Sequence, residues 1–506
     1  MGKTLTPVGF HSFEAAGAFF VYDTTTNALV EVPSSVHRAL DVCRRKAWRP
    51  LDARDGLRSE LPPAEWREAT AWLKNAGRRG MFRPYRARDY TWILDADPRT
   101  ELASLGGLVL GLTERCNFRC RHCTYSGYYR GHRTHSDRRM TWPVVKRGLD
   151  FFLARARPEA WVTFYGGEPT LEWDLIERAV RYLREAGGRR SPIPFHVTTN
   201  GSLIDDRKLD FLIEHDGALA VSLDGPARIH DRVRRFRNGA NSFDRVMRSL
   251  TFIRARDEAW YRSHVRFTCV IGRREDLPAV LEFFGSHDLV RDMPVRAVGL
   301  NAGMEPHQAR ELGLGPSTLD GSLELPEAFL ESLAGGNDRF SRPLFLSVFP
   351  AVFEQLARRR VGIAPNRAVA GSMCYPGAAR PYVGVGGELY ACNRIDVEDG
   401  SIGDVARGFD DDRVNGLLRF FVEYCQSACQ ECWAQRLCTM CASNGKRDGQ
   451  LREAHLADEC RAARQRWKYW LLVFAHLWKR EEERGLTETK YSLHWCVEDA
   501  RTSESP

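Results

Sequence analysis

Between Leu105 and about Ala302, β-branched apolar runs alternate with stretches whose apolar residues recur every third or fourth position. The runs predict strands at 107–113, 161–165, 194–199, 218–222, 265–271 and 295–300. Helices are predicted over 142–156, 171–186, 204–215, 243–257 and 274–286. Val145, Leu149 and Phe152 fall at i, i+4 and i+7 of the first, and Leu175, Ala179, Tyr182 and Leu183 repeat that stripe in the second. Strands alternating with helices imply an α/β fold with a parallel sheet and right-handed crossovers. Such folds hold their ligands at the carboxyl ends of the strands. Cys269, in mid-strand, reads as a packed core thiol.

The flanks follow other patterns. His11–Asp23 and Asn27–Val32 are two strand-like runs around a Thr/Asn turn, and helical stretches follow near Ser34–Arg45 and Pro63–Gly77. The basic run from Arg78 to Arg88 reads as the solvated start of a linker. Residues 303–370 lose the β/α rhythm and read as a bridge. The chain closes on an aromatic helix, Ala462–Arg484, in which Trp467, Trp470, Leu471, Phe474, Leu477 and Trp478 form a packing face.

A length of 506 residues exceeds what one core normally serves, so several domains are expected. Apolar residues at 43% and charged residues at 28% describe a globular chain and exclude collagen-like or largely disordered structure. The net charge of +8 is spread thinly and forms no long basic block, which weighs against nucleic acid as partner. The longest apolar run, Tyr469–Trp478, is far too short to span a membrane. The start lacks a secretory apolar stretch, although Gly2 and Thr6 match the loose myristoylation pattern. A cytoplasmic location is expected.

The fourteen cysteines are clustered. Cys116, Cys120 and Cys123 form one knot, and Cys374, Cys392, Cys425, Cys429, Cys432, Cys438, Cys441 and Cys460 crowd the last third, leaving Cys43, Cys269 and Cys496 apart. Without an export signal, clustering points to metal rather than disulfides. The knot, C-x3-C-x2-C, suits a [4Fe–4S] cluster in which each sulfur takes one iron and the fourth stays open to a ligand. Tetrahedral zinc, the alternative, needs a fourth ligand that His122 is poorly placed to supply.

This knot after a first strand resembles the radical S-adenosylmethionine (SAM) superfamily, and further motifs extend the resemblance. The strand Trp161–Tyr165 runs into Gly166, Gly167, Glu168 and Pro169, which looks like the turn that holds the methionine amino group of SAM in that family. Two later strand ends, Thr199-Asn200 and Ser222-Leu223-Asp224, match positions that contact the ribose and carboxylate of SAM, and Arg234 is a candidate partner for that carboxylate. The resemblance implies a partial (β/α)6 barrel over 105–302, joined by a linker at 86–104.

The tail pattern, C-x12-G-x4-C followed by C-x2-C-x5-C-x2-C and Cys460, resembles the SPASM extension of radical SAM enzymes that act on peptides. It would occupy 371–462, before the helix and tail at 463–506, and implies two auxiliary clusters, three [4Fe–4S] clusters in all. By resemblance Cys374, Cys392 and Cys441 hold the first auxiliary cluster, and Cys429, Cys432, Cys438 and Cys460 hold the second. The usual last spacing is C-x3-C, and Cys438 and Cys441 are one residue closer. The fourth ligand of the first cluster is either Cys425 or a site left open to substrate.

Residues 1–85 resemble the PqqD-like leader-recognition domain, a winged-helix-like α+β module that takes an extended leader peptide as an added strand; a winged-helix module that binds DNA or nothing is the alternative. Together these likenesses imply a maturase of ribosomally made peptides. Its cluster, reduced by a low-potential donor such as flavodoxin or ferredoxin, would cleave SAM to a 5′-deoxyadenosyl radical. A thioether cross-link is favoured, ahead of a side-chain carbon–carbon or carbon–oxygen link. Alternatives are a sulfatase-type formylglycine maturase, against which Asn393 after Cys392 counts, a non-catalytic iron–sulfur peptide-binding protein, and a nucleic-acid-modifying enzyme.

Overall fold

The computed structural model describes residues 9–483 apart from 84–87, 130, 187–191, 301–303, 305, 315–355, 357, 358, 364, 370, 396–399, 448 and 449. Most of the expected bridge at 303–370 lies outside the described residues, as do Gly2, Thr6 and Cys496. No helix among the described residues is long and apolar enough to cross a membrane.

The amino-terminal module is a three-stranded antiparallel sheet, β1 (Phe10–Ala15), β2 (Ala18–Asp23) and β3 (Ala28–Val32), with helices at Ser34–Lys46, Arg54–Glu60 and Pro63–Arg78. The run expected as one strand over 11–23 is therefore a hairpin. Ala16 and Gly17 turn it with positive φ of 49° and 70°, the sense that matches the twist of paired strands. Because alternate side chains face opposite ways, Phe10, Val21 and Val32 pack with Val36, Leu40 and Leu73 of the module's own helices. Phe20, Tyr22 and Leu29 join the main core instead. There the Phe20 and Trp478 rings lie 5.6 Å apart, and Thr24 Oγ1 donates to the Trp433 carbonyl at 2.6 Å. The module is thus built onto the carboxyl-terminal third of the chain.

Six parallel strands form the central sheet in sequence order: β4 (Leu105–Thr113), β5 (Ala156–Gly166), β6 (Phe195–Thr199), β7 (Ala218–Ser222), β8 (Val265–Ile271) and β9 (Val295–Gly299). The crossover helices are Trp142–Leu153, Trp173–Ala186, Asp206–Glu214, Phe243–Arg256 and Leu277–Ser286. Leu108, Leu110, Val162, Phe164, Val197, Leu219, Phe267 and Cys269 are buried on the helix-covered face.

The cysteine-rich segment is not walled off from this sheet. β10 (Tyr382–Val383) pairs in parallel with β4, and β11 (Glu388–Tyr390), β12 (Ser401–Asp404) and β13 (Gly408–Phe409) add antiparallel strands, giving ten in all. A helix at Asp411–Ala428 follows, its start capped by the Asp410 carboxylate accepting from Arg413 N at 3.1 Å. The last helix runs Glu453–Glu483, so it begins well before the expected Ala462 and Cys460 lies within it. Trp467, Trp470, Leu471, Phe474 and Leu477 are buried in the core, as their spacing predicts.

Candidate functional site

The stretch between β4 and the helix Trp142–Leu153 carries the first three cysteines at the carboxyl edge of the sheet. It is clamped by short pairing to residues 233–237: Arg119 N donates to the Arg235 carbonyl, Arg121 N to the Val233 carbonyl and Arg237 N to the Asn117 carbonyl, each at 2.8 Å. Within it, Phe118 N points at Cys116 Sγ (3.3 Å) and Tyr125 N at Cys123 Sγ (3.4 Å). Cys120 is buried, and Cys116 and Cys123 are half-buried. A cleft of about 520 Å³ opens beside Cys116, lined among others by Arg115, Asn117, Arg119, His135 and Arg237.

Gly166 and Gly167 are required by the approach of this stretch. Gly166 has φ of +138°, and a Cβ there would stand 2.4 Å from the Thr113 carbonyl oxygen; one on Gly167 would stand 2.2 Å from that of Arg115. In their place the backbones bond directly, Gly167 N to Thr113 O (2.7 Å) and Glu168 N to Arg115 O (2.8 Å). The glycines thus lock the β5 end to the start of the cysteine stretch.

Glu168, followed by Pro169 at the head of a short 3-10 turn, is buried and fully engaged by its own chain. Its Oε1 accepts from Thr170 N (3.1 Å), Thr170 Oγ1 (2.5 Å) and Thr199 Oγ1 (2.8 Å), and its Oε2 from Asn200 N (2.8 Å). Burial raises its pKa, and these donors oppose the rise. Asn200 carries the network on, through Nδ2 to Asn117 Oδ1 (2.8 Å) and from Ser202 Oγ to its own Oδ1 (2.7 Å). Asn117 and Ser202 were not singled out from the sequence, where no spacing marks them.

At the next strand end, Ser222 is half-buried and Asp224 fully buried. Arg234 is expected from the resemblance to meet a SAM carboxylate; here its guanidinium forks onto Asp224, Nε to Oδ2 at 2.6 Å and Nη2 to Oδ1 at 3.1 Å. Asp224 Oδ1 also accepts from Val270 N at 2.8 Å. Burial alone would raise the Asp224 pKa, but Arg234 and then His122 outweigh it and hold the carboxyl below its usual range. His122, 3.7 Å from Asp224, has its own pKa lowered to about 4 by burial and by Arg234, so it is neutral at pH 7. The charge of Arg234 also reaches Cys120 and favours its thiolate, although burial leaves that thiol high, at about 12.

The tail cysteines fall into two groups. Cys392 feels the charges of Cys441 and Cys374. Cys438 feels those of Cys429, Cys432 and Cys460, and Tyr424 OH donates to Cys460 Sγ at 3.4 Å. Cys425 lies against Cys429, on the last turn of the helix that ends there, and so belongs with the second group rather than the first. Among the described residues, no three His, Cys, Asp or Glu side chains converge on a point that one metal ion could fill. A cubane makes no such demand, because its thiolates bind separate irons.

The donor set of the first knot fits a [4Fe–4S] cluster. Burial raises the thiols of Cys116 and Cys120; Glu168 and the other two knot cysteines add to the rise at Cys116, and Cys123 and Asp224 add to it at Cys120, so several thiolates are stable there only beside a cation. The N–H groups aimed at Cys116 and Cys123 are the hydrogen bonds that cluster sulfurs accept, and Met440 N is placed likewise 3.5 Å from Cys438 Sγ.

Residues 110–277 match the model of the Radical SAM superfamily. The chain is 21% identical over 219 residues to the radical SAM cyclopropyl synthase TigE of Paramaledivibacter caminithermalis, covering 41% of this chain and 43% of that protein. It is 26% identical over 153 residues to a cysteine-type anaerobic sulfatase-maturating enzyme of Clostridium novyi, covering 30% and 41%. A serine-type anaerobic sulfatase-maturating enzyme of Bacteroides thetaiotaomicron is 25% identical over 146 residues, covering 29% and 35%. The chain thus spans under half the length of these curated relatives. Among solved structures, native anSMEcpe with bound AdoMet shares the fold, with a TM-score of 0.54, 18% identity and coverage of 73% of this chain and 99% of that one.

Proposed function

Because the chain carries a radical SAM domain, we propose that it is a radical SAM enzyme that matures a ribosomally made peptide by forming an intramolecular cross-link, a thioether ahead of a carbon–carbon or carbon–oxygen link. The observation that carries this reading is the meeting of Cys116, Cys120 and Cys123 with the Gly166–Pro169 turn at one edge of the sheet. SAM would bind there, against that turn and the ends of β6 and β7 at Thr199, Asn200, Ser222 and Asp224. The bound cofactors supply a carbon-centred radical able to take hydrogen from an unactivated C–H bond.

The chain's own residues do the rest. The cysteine stretch presents its sulfurs on a backbone held by residues 233–237 and by Glu168 N, and Arg234 places positive charge beside Cys120. The two tail groups would hold the auxiliary clusters, Cys374, Cys392 and Cys441 the first, and Cys429, Cys432, Cys438 and Cys460 the second. The three thiols of the first group leave room for a substrate thiolate, which favours sulfur chemistry. A low-potential donor of the flavodoxin or ferredoxin kind, acidic in charge, would approach Cys116 through the arginine-lined cleft. In the amino-terminal module, β3 is an edge strand of its sheet and could accept an extended leader.

A second reading, formylglycine formation in a sulfatase, is favoured by the similarity to the two sulfatase-maturating enzymes. One experiment separates them. The reconstituted protein, with SAM and reductant, is offered the short peptide encoded beside it and a cysteine-containing sulfatase peptide. A cross-link formed by loss of H2 from the first supports the proposal. A hydrazine-trapped aldehyde on the second, with the first unchanged, replaces it.

A further inference from the structure

Strand register places a set of arginines on the sheet face opposite the helices. Across the sheet, Thr163 pairs with His196, His196 with Ala218, Ala220 with Arg266 and Thr268 with Arg296. Side chains alternate along a strand, so Arg266 and Arg296 share the face of Thr163 and His196. Their neighbours Phe267 and Val295 point into the helix-packed core. Arg380, just before β10, joins them: its charge reaches both His196 and Arg296, and that of Arg266 reaches His196. Thr163 Oγ1 and His196 Nε2 lie 2.9 Å apart between them.

These arginines sit near the amino ends of their strands, while the cysteines occupy the carboxyl edge. Several arginines elsewhere are met by acids, among them Arg207 by Asp174 and Glu177, and Arg232 by Asp276. Among the described residues, no carboxylate pairs with Arg266, Arg296 or Arg380. A guanidinium does not lose its proton to escape like charge, so the three stay cationic and together attract an anion from outside. Its planar fork suits a carboxylate.

We propose that Arg266, Arg296 and Arg380 form a subsite for an acidic side chain of the peptide being modified. The assignment of that acid to a substrate peptide rests on the function proposed above. Arg266 stands five residues before the carboxyl end of β8 at Ile271, so an extended peptide running alongside that strand, at the same rise of about 3.3 Å per residue, would carry the acid about five residues from the position that meets the cysteine edge. The subsite thereby sets which residue of the peptide is presented for reaction.

The test uses the full-length reconstituted protein and two end-blocked probes, tetraglutamate and tetraglutamine, titrated calorimetrically. Tetraglutamate is expected to bind and tetraglutamine not. Arg266→Gln/Arg296→Gln is expected to weaken tetraglutamate at least tenfold, and Arg266→Lys/Arg296→Lys, which keeps the charge and guards against misfolding, to retain most of the affinity. Equal binding of both probes, no binding of tetraglutamate, or a Gln variant that binds as the parent does overturns the proposal. So does a Gln variant that loses only iron, since the arginines would then serve the auxiliary sulfurs near Arg380. Formation of 5′-deoxyadenosine by the unaltered protein without peptide is read separately, and its failure tells against the proposed function alone.

Discussion

The two edges of the central sheet treat charge in opposite ways. At the carboxyl edge, Asp224 and Arg234 are buried and forked together, and every oxygen of Glu168 has a donor from the chain. Near the amino edge, Arg266, Arg296 and Arg380 face one surface with no acid among the described residues to answer them. A buried charge must be neutralised by the fold itself, since an unpaired one costs several kcal/mol. Arg266 and Arg296 are exposed and Arg380 is half-buried, so water screens much of their charge. The first edge is therefore pre-organised scaffold, and the second is a place where something acidic is to be brought.

The largest effect expected from breaking this contrast comes from Asp224→Asn. It leaves Arg234 buried without its partner and should lower the unfolding free energy by about 3–5 kcal/mol, measured by denaturant titration. The pH dependence follows from the lowered Asp224 pKa. A folded pKa below the unfolded one contributes stability that is present above pH 3.8 and is lost as pH falls through the lowered value. The Asn variant should lack that part of the acid transition, and an unchanged acid limb would contradict the pairing. The smallest effect is expected at the other edge. Arg266→Gln/Arg296→Gln should leave the unfolding free energy within about 0.5 kcal/mol of the parent, because no bond of the fold is removed. A loss of about 2 kcal/mol or more would make these arginines structural and erase the contrast.

Much of this was readable before the structure. Five of the six central strands lie within two residues of their predicted spans because each is an apolar run closed by polar residues, while β5 starts five residues early at Ala156, in a polar stretch that carries no strand pattern; Cys269 is buried as its mid-strand place implies. The joining of Tyr382–Val383 to β4 was not readable: two residues carry no periodicity, and their partner lies far away in sequence. The hairpin at Ala16-Gly17 was hidden because its turn is as apolar as its strands. The early start of the last helix was not readable, because residues 453–461 are mostly polar and lack the aromatic spacing that marks the rest of it. At the site, the cysteines and the Gly166–Pro169 turn stand out by spacing. That Asp224 occupies Arg234 does not, since it depends on a side chain folding back ten residues. Nor do Arg266 and Arg296 announce themselves among 74 lysines and arginines, because only strand register puts them on one face.

The central claim is that the three cysteines after β4 hold a cluster that cleaves SAM. It is tested most directly by incubating anaerobically reconstituted protein with SAM and dithionite and measuring 5′-deoxyadenosine. The account predicts its formation by the parent and none by the Cys116→Ala/Cys120→Ala/Cys123→Ala variant. Nucleoside still produced by that variant, or none produced by an iron-loaded parent, would contradict it.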